Sequence, residues 1–249
     1  MTATGAAISY ASSPLPVRKD LVEAHERAWQ RLARAGTWWT GAERVAIAAE
    51  VRVAARCRTC SEQKSALSPA SVSAPHETAS ELSQAAREAA HRIASDPARL
   101  TKAWFEKTLA SGLRDGEYVE LVGVVVTVVS IDSFCRGLGV PLHPLPAPLA
   151  GEPTRYRPAS AVLQRAWVPT IPASAVGGAE ADLWRPGRTG NVIRALSLVP
   201  DEVRQLAELG AAHYLPFERM MDPLAARAID RMQIELLAAR VSALRECFY

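Results

Sequence analysis

Neither sign of charge is in large excess in this sequence of 249 residues, because 29 basic and 26 acidic side chains leave a net charge of only +3. The two signs are interspersed, so the chain lacks the basic face typical of nucleic-acid binding and the basic stripe typical of membrane-surface helices. Strand-like alternation of apolar and polar residues is also scarce. We therefore expect a helical protein without nucleic-acid or membrane partners.

Long uninterrupted apolar runs are absent as well. The most apolar stretch, "YVELVGVVVTVVSIDSF", is interrupted by Glu120 and Asp132 and is too short to span a bilayer. The N-terminus, "MTATGAAISYASSPLPVRKD", has no charged segment leading into an apolar run, as an export leader would have. Composition is otherwise globular, with 49% hydrophobic and 22% charged residues. A soluble cytoplasmic protein is the expectation.

Helical periodicity is present over most of the chain and predicts an all-α fold. Thr40 and Glu43 have the spacing of a capping box, which would start one of the helices. The Val-rich middle of the fifth segment could equally form a buried strand. The predicted helices cover residues 18–35, 41–56, 79–95, 98–111, 116–138, 191–199, 201–214 and 223–247.

Composition shifts in residues 140–190, which contain nine prolines. Such a segment is typically extended, with polyproline character. We expect it to lie over the helical body, because Tyr156, Trp167 and Trp184 need burial. The predicted organisation is a first unit at 1–139, a linker at 140–190 and a second unit at 191–249.

Cysteine is rare, but two of the four cysteines form the motif Cys57-Arg58-Thr59-Cys60. In a reducing compartment such a pair indicates redox or metal chemistry rather than a structural disulfide. Residues i and i+3 of a helix lie on one face, so the two sulfurs should be close and partly accessible. The nearby cations Arg56, Arg58 and Lys64 should favour a thiolate.

Two alternatives remain for this pair, inert packing and metal binding. Zinc needs four ligands, and the nearest candidates, His76 and His91, lie at spacings that no common zinc motif uses. The sequence therefore favours redox chemistry, with no metal and no cofactor.

An internal repeat is visible when cysteines are aligned, since "AIAAEVRVAARC" ends at Cys57 and "ELLAARVSALREC" ends at Cys247. A chance match between Ala-rich helices is the alternative. If the repeat holds, Cys60 corresponds to the position after Tyr249, where a cysteine or a selenocysteine would complete a second pair.

The segment "DRMQIELLAARVSALRECFY" resembles the signature of the alkylhydroperoxidase D and carboxymuconolactone decarboxylase superfamily, in particular its peroxidase-related members. Glu235 stands twelve positions before Cys247, as the family pattern requires. The segment from "IASDPARL" to "DSFCRGLG" is similar to the paired helices of the family. The first unit departs from the family pattern at two positions. Val45 stands where the pattern has Glu, and Lys64 stands where it has His.

The resemblance implies an alkylhydroperoxidase D-like fold of two repeated units. It also implies a thiol- or selenol-dependent peroxidase or disulfide reductase that takes a hydroperoxide substrate and a dithiol electron donor, as a homo-oligomer. The implied catalytic residues are Cys247 and Glu235, with Cys57 and Cys60 as a secondary redox pair or a remnant. Without the resemblance, Glu235 reads as a surface ion pair with Arg231. The alternatives are a non-catalytic helical oligomerisation module with inert cysteines and a carboxymuconolactone decarboxylase-like enzyme.

Overall fold

Helices make up the regular structure in the computed structural model, which describes residues 8–244 and residue 247. Within these residues there is no β-strand, only two isolated β-bridges, so the predicted all-α class is confirmed. The helices are α1 Lys19–Ala33, α2 Gly41–Ala54, α3 Arg58–Ser65, α4 Gln84–Ser95, α5 Lys102–Ala110, α6 Asp115–Leu138, α7 Asn191–Arg194, α8 Pro200–His213 and α9 Arg231–Leu244.

Side-chain caps decide where several helices begin. The capping box predicted at Thr40 and Glu43 is present at the start of α2. A similar exchange occurs at α9, where Asp230 accepts a hydrogen bond from the N–H of Gln233 and the Gln233 side chain accepts one from the N–H of Asp230. This exchange satisfies the free N–H groups of a first turn, so α9 begins at Arg231. The predicted start at 223 was therefore wrong.

The Val-rich segment forms a helix, α6, rather than a strand. It ends at Gly139, whose φ of 68° is the left-handed conformation that glycine adopts easily at a helix C-terminus. The expectation that this stretch is too short to span a bilayer was wrong, because α6 is long and apolar enough to cross one, although 61% of its most apolar window is buried inside the protein. This burial is compatible with a core helix of a soluble protein.

The core is centred on three helices, because α2, α4 and α6 pack against one another while α1 packs against α2 and α8. One hydrophobic cluster contains Ile47, Ile171 and Leu198, each fully buried. These residues come from the predicted first unit, linker and second unit respectively. The three predicted regions therefore share one core.

Residues 140–190 are largely extended and lie on the helical body, as expected. The N–H of Leu149 donates to the carbonyl of Ala33 at 2.7 Å. Trp184 is buried, but Tyr156 and Trp167 are 43% and 40% exposed, so the expectation that all three rings need burial was wrong. The segment is instead anchored by smaller apolar side chains, namely Val168, Ile171 and Leu183.

The predicted repeat between α2 and α9 is not confirmed, because the two helices lie in different environments. Helix α2 is buried along most of its length. Helix α9 buries only Ile234 among its described residues. Its large apolar side chains in 236–244 are exposed, namely Leu236, Leu237, Val241 and Leu244.

A buried cluster of charges connects α2, α6 and α8. Arg44 is paired with Glu120, and its Nη1 also lies 3.2 Å from Glu202 Oε1. All three side chains are 5% exposed or less. Glu120 also accepts a hydrogen bond from the N–H of Trp38. Glu120, which interrupts the apolar stretch of the sequence, is therefore a partner of Arg44 in the core.

One arginine faces two carboxylates in this cluster. Ionisation of the second carboxylate is therefore unfavourable. Burial raises the pKa of Glu202 from 4.5 to about 7; Arg44 opposes this rise and Glu120 adds to it. The folded chain thus holds a proton that the unfolded chain has already released. The contribution of Glu202 to stability should therefore fall as the pH rises from about 4.5 to about 7.

We expect Glu202→Gln to remove this part of the pH dependence. Relative to the wild type, the variant should gain about 2–3 kcal/mol between pH 5 and pH 8, since one pKa unit corresponds to about 1.4 kcal/mol. Urea denaturation at both pH values measures the difference. Glu106→Gln, at an exposed position of α5, is the control and should keep the wild-type slope. Parallel pH profiles for wild type and Glu202→Gln would contradict the assignment.

Candidate functional site

The Cys57-x-x-Cys60 motif lies where the chain leaves α2 and enters α3. Cys57 is the N-cap of α3 and Cys60 is in its first turn. Both cysteines are free thiols, and both are 2% exposed. The sequence-based expectation of partial accessibility was therefore wrong for the side chains themselves.

His76 brings an imidazole between the two sulfurs. Its Nδ1 lies 3.5 Å from Cys57 Sγ and 3.4 Å from Cys60 Sγ. On the other side of the ring, Nε2 lies 2.8 Å from a carboxylate oxygen of Glu88 in α4. Two thiols, one imidazole and one carboxylate thus form a continuous hydrogen-bonded chain.

His91 of α4 makes a second chain of the same kind. Its Nδ1 lies 3.2 Å from Cys60 Sγ, and its Nε2 lies 2.9 Å from Glu50 of α2. His91 and Glu50 are both fully buried. The two imidazole rings are adjacent, with a centroid separation of 4.4 Å between His76 and His91.

The segment that carries His76 is held in place by hydrogen bonds to both sides of the site. Glu50 accepts hydrogen bonds from the hydroxyl groups of Thr78 and Ser80, at 2.7 and 2.5 Å. On the cysteine side, the hydroxyl of Thr59 donates to the carbonyl of Pro75 at 2.8 Å. His76 is therefore positioned by α2 and α3 although it lies outside any helix.

The electrostatics of the site favour separated charges. Burial opposes ionisation of Cys57, but hydrogen bonds from the backbone at Cys60 and from His76 outweigh it and lower the pKa of the Cys57 thiol. Burial also opposes the charged form of His76, yet Cys60, Glu88 and Cys57 together raise its pKa to about 10. The base beside the pair is thus His76, whereas Arg58, expected to help, is paired with Glu62 on the surface.

The orientation of both rings defines what the site can do. When the ring is neutral, a carboxylate at Nε2 favours the tautomer with the proton on that nitrogen, which leaves the Nδ1 lone pair facing sulfur. A lone pair in that position can accept a thiol proton or bind a metal ion. The four ligand atoms of Cys57, Cys60, His76 and His91 lie within 4.8 Å of one another.

A cleft with a volume of about 490 Å³ opens at the cysteine pair. This volume lies within the range of small-molecule sites. Its walls include Cys57, Cys60 and Asp132, and Asp132 is bound by Arg52 through two hydrogen bonds of 2.9 and 2.8 Å. Basic residues around the cleft are Arg56, Arg58, Lys64 and Arg136.

The second predicted site is not brought together with the first in any described contact. Glu235 accepts a hydrogen bond from Tyr214 and lies 2.8 Å from Arg231, which is the surface ion pair expected without the resemblance. Cys247 is exposed, and its N–H donates to the carbonyl of Ser242. Phe248 and Tyr249 lie outside the described residues.

Sequence reasoning missed Glu50 and Glu88 and set His76 and His91 aside. One local signal was available: Glu88 and His91 are three positions apart in a predicted helix and therefore share a face. No local signal pointed to Glu50, which reaches the site only because α2 packs against α4.

Comparisons of the chain with protein-family models, with curated proteins and with solved structures found no match. The resemblance to the alkylhydroperoxidase D and carboxymuconolactone decarboxylase superfamily therefore remains a prediction from the sequence motifs.

Proposed function

We propose that this protein is a thiol-dependent peroxidase or disulfide reductase whose reactive centre is the Cys57/Cys60 pair. The observation that carries the proposal is the pair of Cys–His–Glu chains, in which each imidazole has Nδ1 toward sulfur and Nε2 toward a carboxylate. A nucleophile, a base and a group that orients the base are the components of an activated thiol. The sequence-based hypothesis had given this pair only a secondary role.

The reaction requires two thiols and one hydroperoxide. One thiolate attacks the O–O bond, which breaks to leave a sulfenic acid and an alcohol. The second thiolate then attacks the sulfenic sulfur, forms the disulfide and displaces hydroxide, which leaves as water after protonation. Two thiols are oxidised by two electrons, and the hydroperoxide is reduced to an alcohol and water.

The partners follow from this chemistry. A dithiol donor would restore the pair by exchange through a mixed disulfide, because the Cys57–Cys60 disulfide must be reduced before the next turnover. The cleft at the pair supports access of a small hydroperoxide or of a donor thiol. We also propose that the protein is a homo-oligomer, for which the exposed apolar residues of α9 offer a contact surface.

The direct test is oxidation of the reduced full-length protein by one equivalent of cumene hydroperoxide in buffer treated to remove metals. We expect loss of two thiols and a Cys57–Cys60 disulfide in peptide mass mapping. Cys135→Ser, which removes a buried cysteine of α6, is the control and should behave like the wild type. Thiol loss no faster than that of a free small thiol would overturn the proposal and favour the non-catalytic helical module.

The carboxylates behind the histidines should matter although they touch neither sulfur. We expect Glu88→Gln to slow the oxidation by at least about tenfold and to shift its pH profile, because the amide no longer stabilises a charged His76. Stopped-flow measurement of thiol loss across pH 5–9 tests this. Glu106→Gln, on the exposed face of α5, is the matched control. An unchanged pH profile in Glu88→Gln would exclude Glu88 as a positioning residue.

A further inference from the structure

We propose that Cys57, Cys60, His76 and His91 form a Zn²⁺ site when both cysteines are reduced. Two sulfurs and two imidazole nitrogens are a donor set that Zn²⁺ uses in closed tetrahedral sites. This inference goes beyond redox chemistry, because it assigns the same four side chains a metal ion as ligand.

The distances between donor atoms fit a tetrahedron around a single ion. Zinc–sulfur and zinc–nitrogen bonds of about 2.3 and 2.0 Å place sulfur and nitrogen about 3.5 Å apart at the tetrahedral angle. In the protein the sulfur–nitrogen distances are 3.5, 3.4 and 3.2 Å, from Cys57 to His76, from Cys60 to His76 and from Cys60 to His91. These three distances are near the spacing that a shared ion requires, and all four donor atoms fall within 4.8 Å of one another.

The groups behind the ligands are those that a zinc site uses. Metal-binding histidines commonly donate their other N–H to a carboxylate, which fixes the tautomer and the ring orientation. His76 has Glu88 at 2.8 Å and His91 has Glu50 at 2.9 Å in this position. Each of the two adjacent imidazoles thus has its own carboxylate partner on the nitrogen that faces away from sulfur.

Charge and burial also favour zinc over harder ions. Two thiolates neutralise a divalent ion inside a site whose cysteines are 2% exposed. Thiolate and imidazole ligands favour zinc, whereas magnesium and calcium prefer oxygen donors. His76, in the segment between α3 and α4, would then be linked by the ion to both helices.

The consequence for reactivity rests on the proposed function, although metal binding itself does not. Both thiolates would be used as ligands, so zinc and the Cys57–Cys60 disulfide exclude each other. Oxidation of the zinc form by a hydroperoxide would consume two protons and yield the disulfide, an alcohol, water and free Zn²⁺. Zinc should therefore slow the reaction, and oxidation should release the ion.

The experiment begins with full-length protein that has been reduced, treated with a chelator and dialysed. Zn²⁺ is added, and bound metal is measured by atomic emission, with affinity from competition with a chromophoric chelator. We expect one Zn²⁺ per chain and its loss in Cys57→Ser/Cys60→Ser. Glu50→Gln should weaken binding by about 10–100-fold, as expected for a group that orients a ligand. Cys135→Ser should bind like the wild type.

A measurement on the unmutated chain keeps the test independent of how well the variants fold. Co²⁺ in place of Zn²⁺ should give thiolate-to-metal charge transfer and tetrahedral ligand-field bands. Substoichiometric zinc, or cobalt spectra without charge transfer, would overturn the site. Stoichiometric zinc in a protein whose metal-free form does not react with hydroperoxide would support the site and overturn the redox proposal. Hydroperoxide-driven disulfide formation without zinc binding would overturn the site and support the redox proposal.

Discussion

Serine in place of either Cys57 or Cys60 should reduce hydroperoxide turnover with a dithiol donor by at least about 1,000-fold. The thiolate is the nucleophile, and a serine hydroxyl at the same place stays protonated near neutral pH. The two variants should differ in what they accumulate. The one that keeps the attacking cysteine should form a sulfenic acid that a dimedone adduct traps, whereas the other should form none.

The matched variant for this prediction is Cys247→Ser. Cys247 is exposed and belongs to the second predicted site, so the substitution separates the two sites without disturbing the core. Full turnover in Cys247→Ser, together with loss in both first-pair variants, assigns the chemistry to Cys57 and Cys60. Equal loss in Cys247→Ser would return the chemistry to the site of Cys247 and Glu235.

Replacement of Arg44 by Met should destabilise the protein by about 3–5 kcal/mol at pH 8, because it leaves Glu120 and Glu202 buried without their cation. The methionine fills much of the volume of the arginine stem, so the loss reports mainly on charge. Chemical denaturation, read as a change in midpoint at constant slope, measures the free energy of unfolding.

Two comparisons make this prediction specific. Arg219→Met removes an exposed arginine that pairs with Asp222 at 3.0 Å, and it should cost less than about 1 kcal/mol. The triple variant Arg44→Met/Glu120→Gln/Glu202→Gln should recover much of the loss, since no charge is then left unpaired. A triple variant as unstable as Arg44→Met alone would show that packing, not charge, accounts for the effect.

Local patterns predicted the helical elements well where each depends on neighbours along the chain. The periodicity that predicted helices at 41–56 and 116–138 reflects contacts within one helix face, and α2 and α6 lie there. The Thr40–Glu43 box needs only four residues, and it is present. The start of α9 was misplaced because a periodic apolar pattern continued past the cap that decides the boundary.

The sequence was less informative about burial. Trp167 and Tyr156 were expected to be buried from their size alone, yet each is about two-fifths exposed. Glu120 and Asp132 read as interruptions of an apolar helix, and each is instead paired with an arginine of α2. Whether a side chain finds a partner depends on which helix packs beside it, and local periodicity carries no information about that.

The sequence by itself determined the helical class, the proximity of Cys57 and Cys60, and the capping box of α2, because each depends on residues within one or two helical turns. Only the tertiary structure decided that His76 and His91 meet the cysteines. Their separations from Cys60, 16 and 31 residues, exceed the range of any local pattern. The packing of α2 against α4 and the hydrogen bonds from Thr78 and Ser80 to Glu50 close those distances.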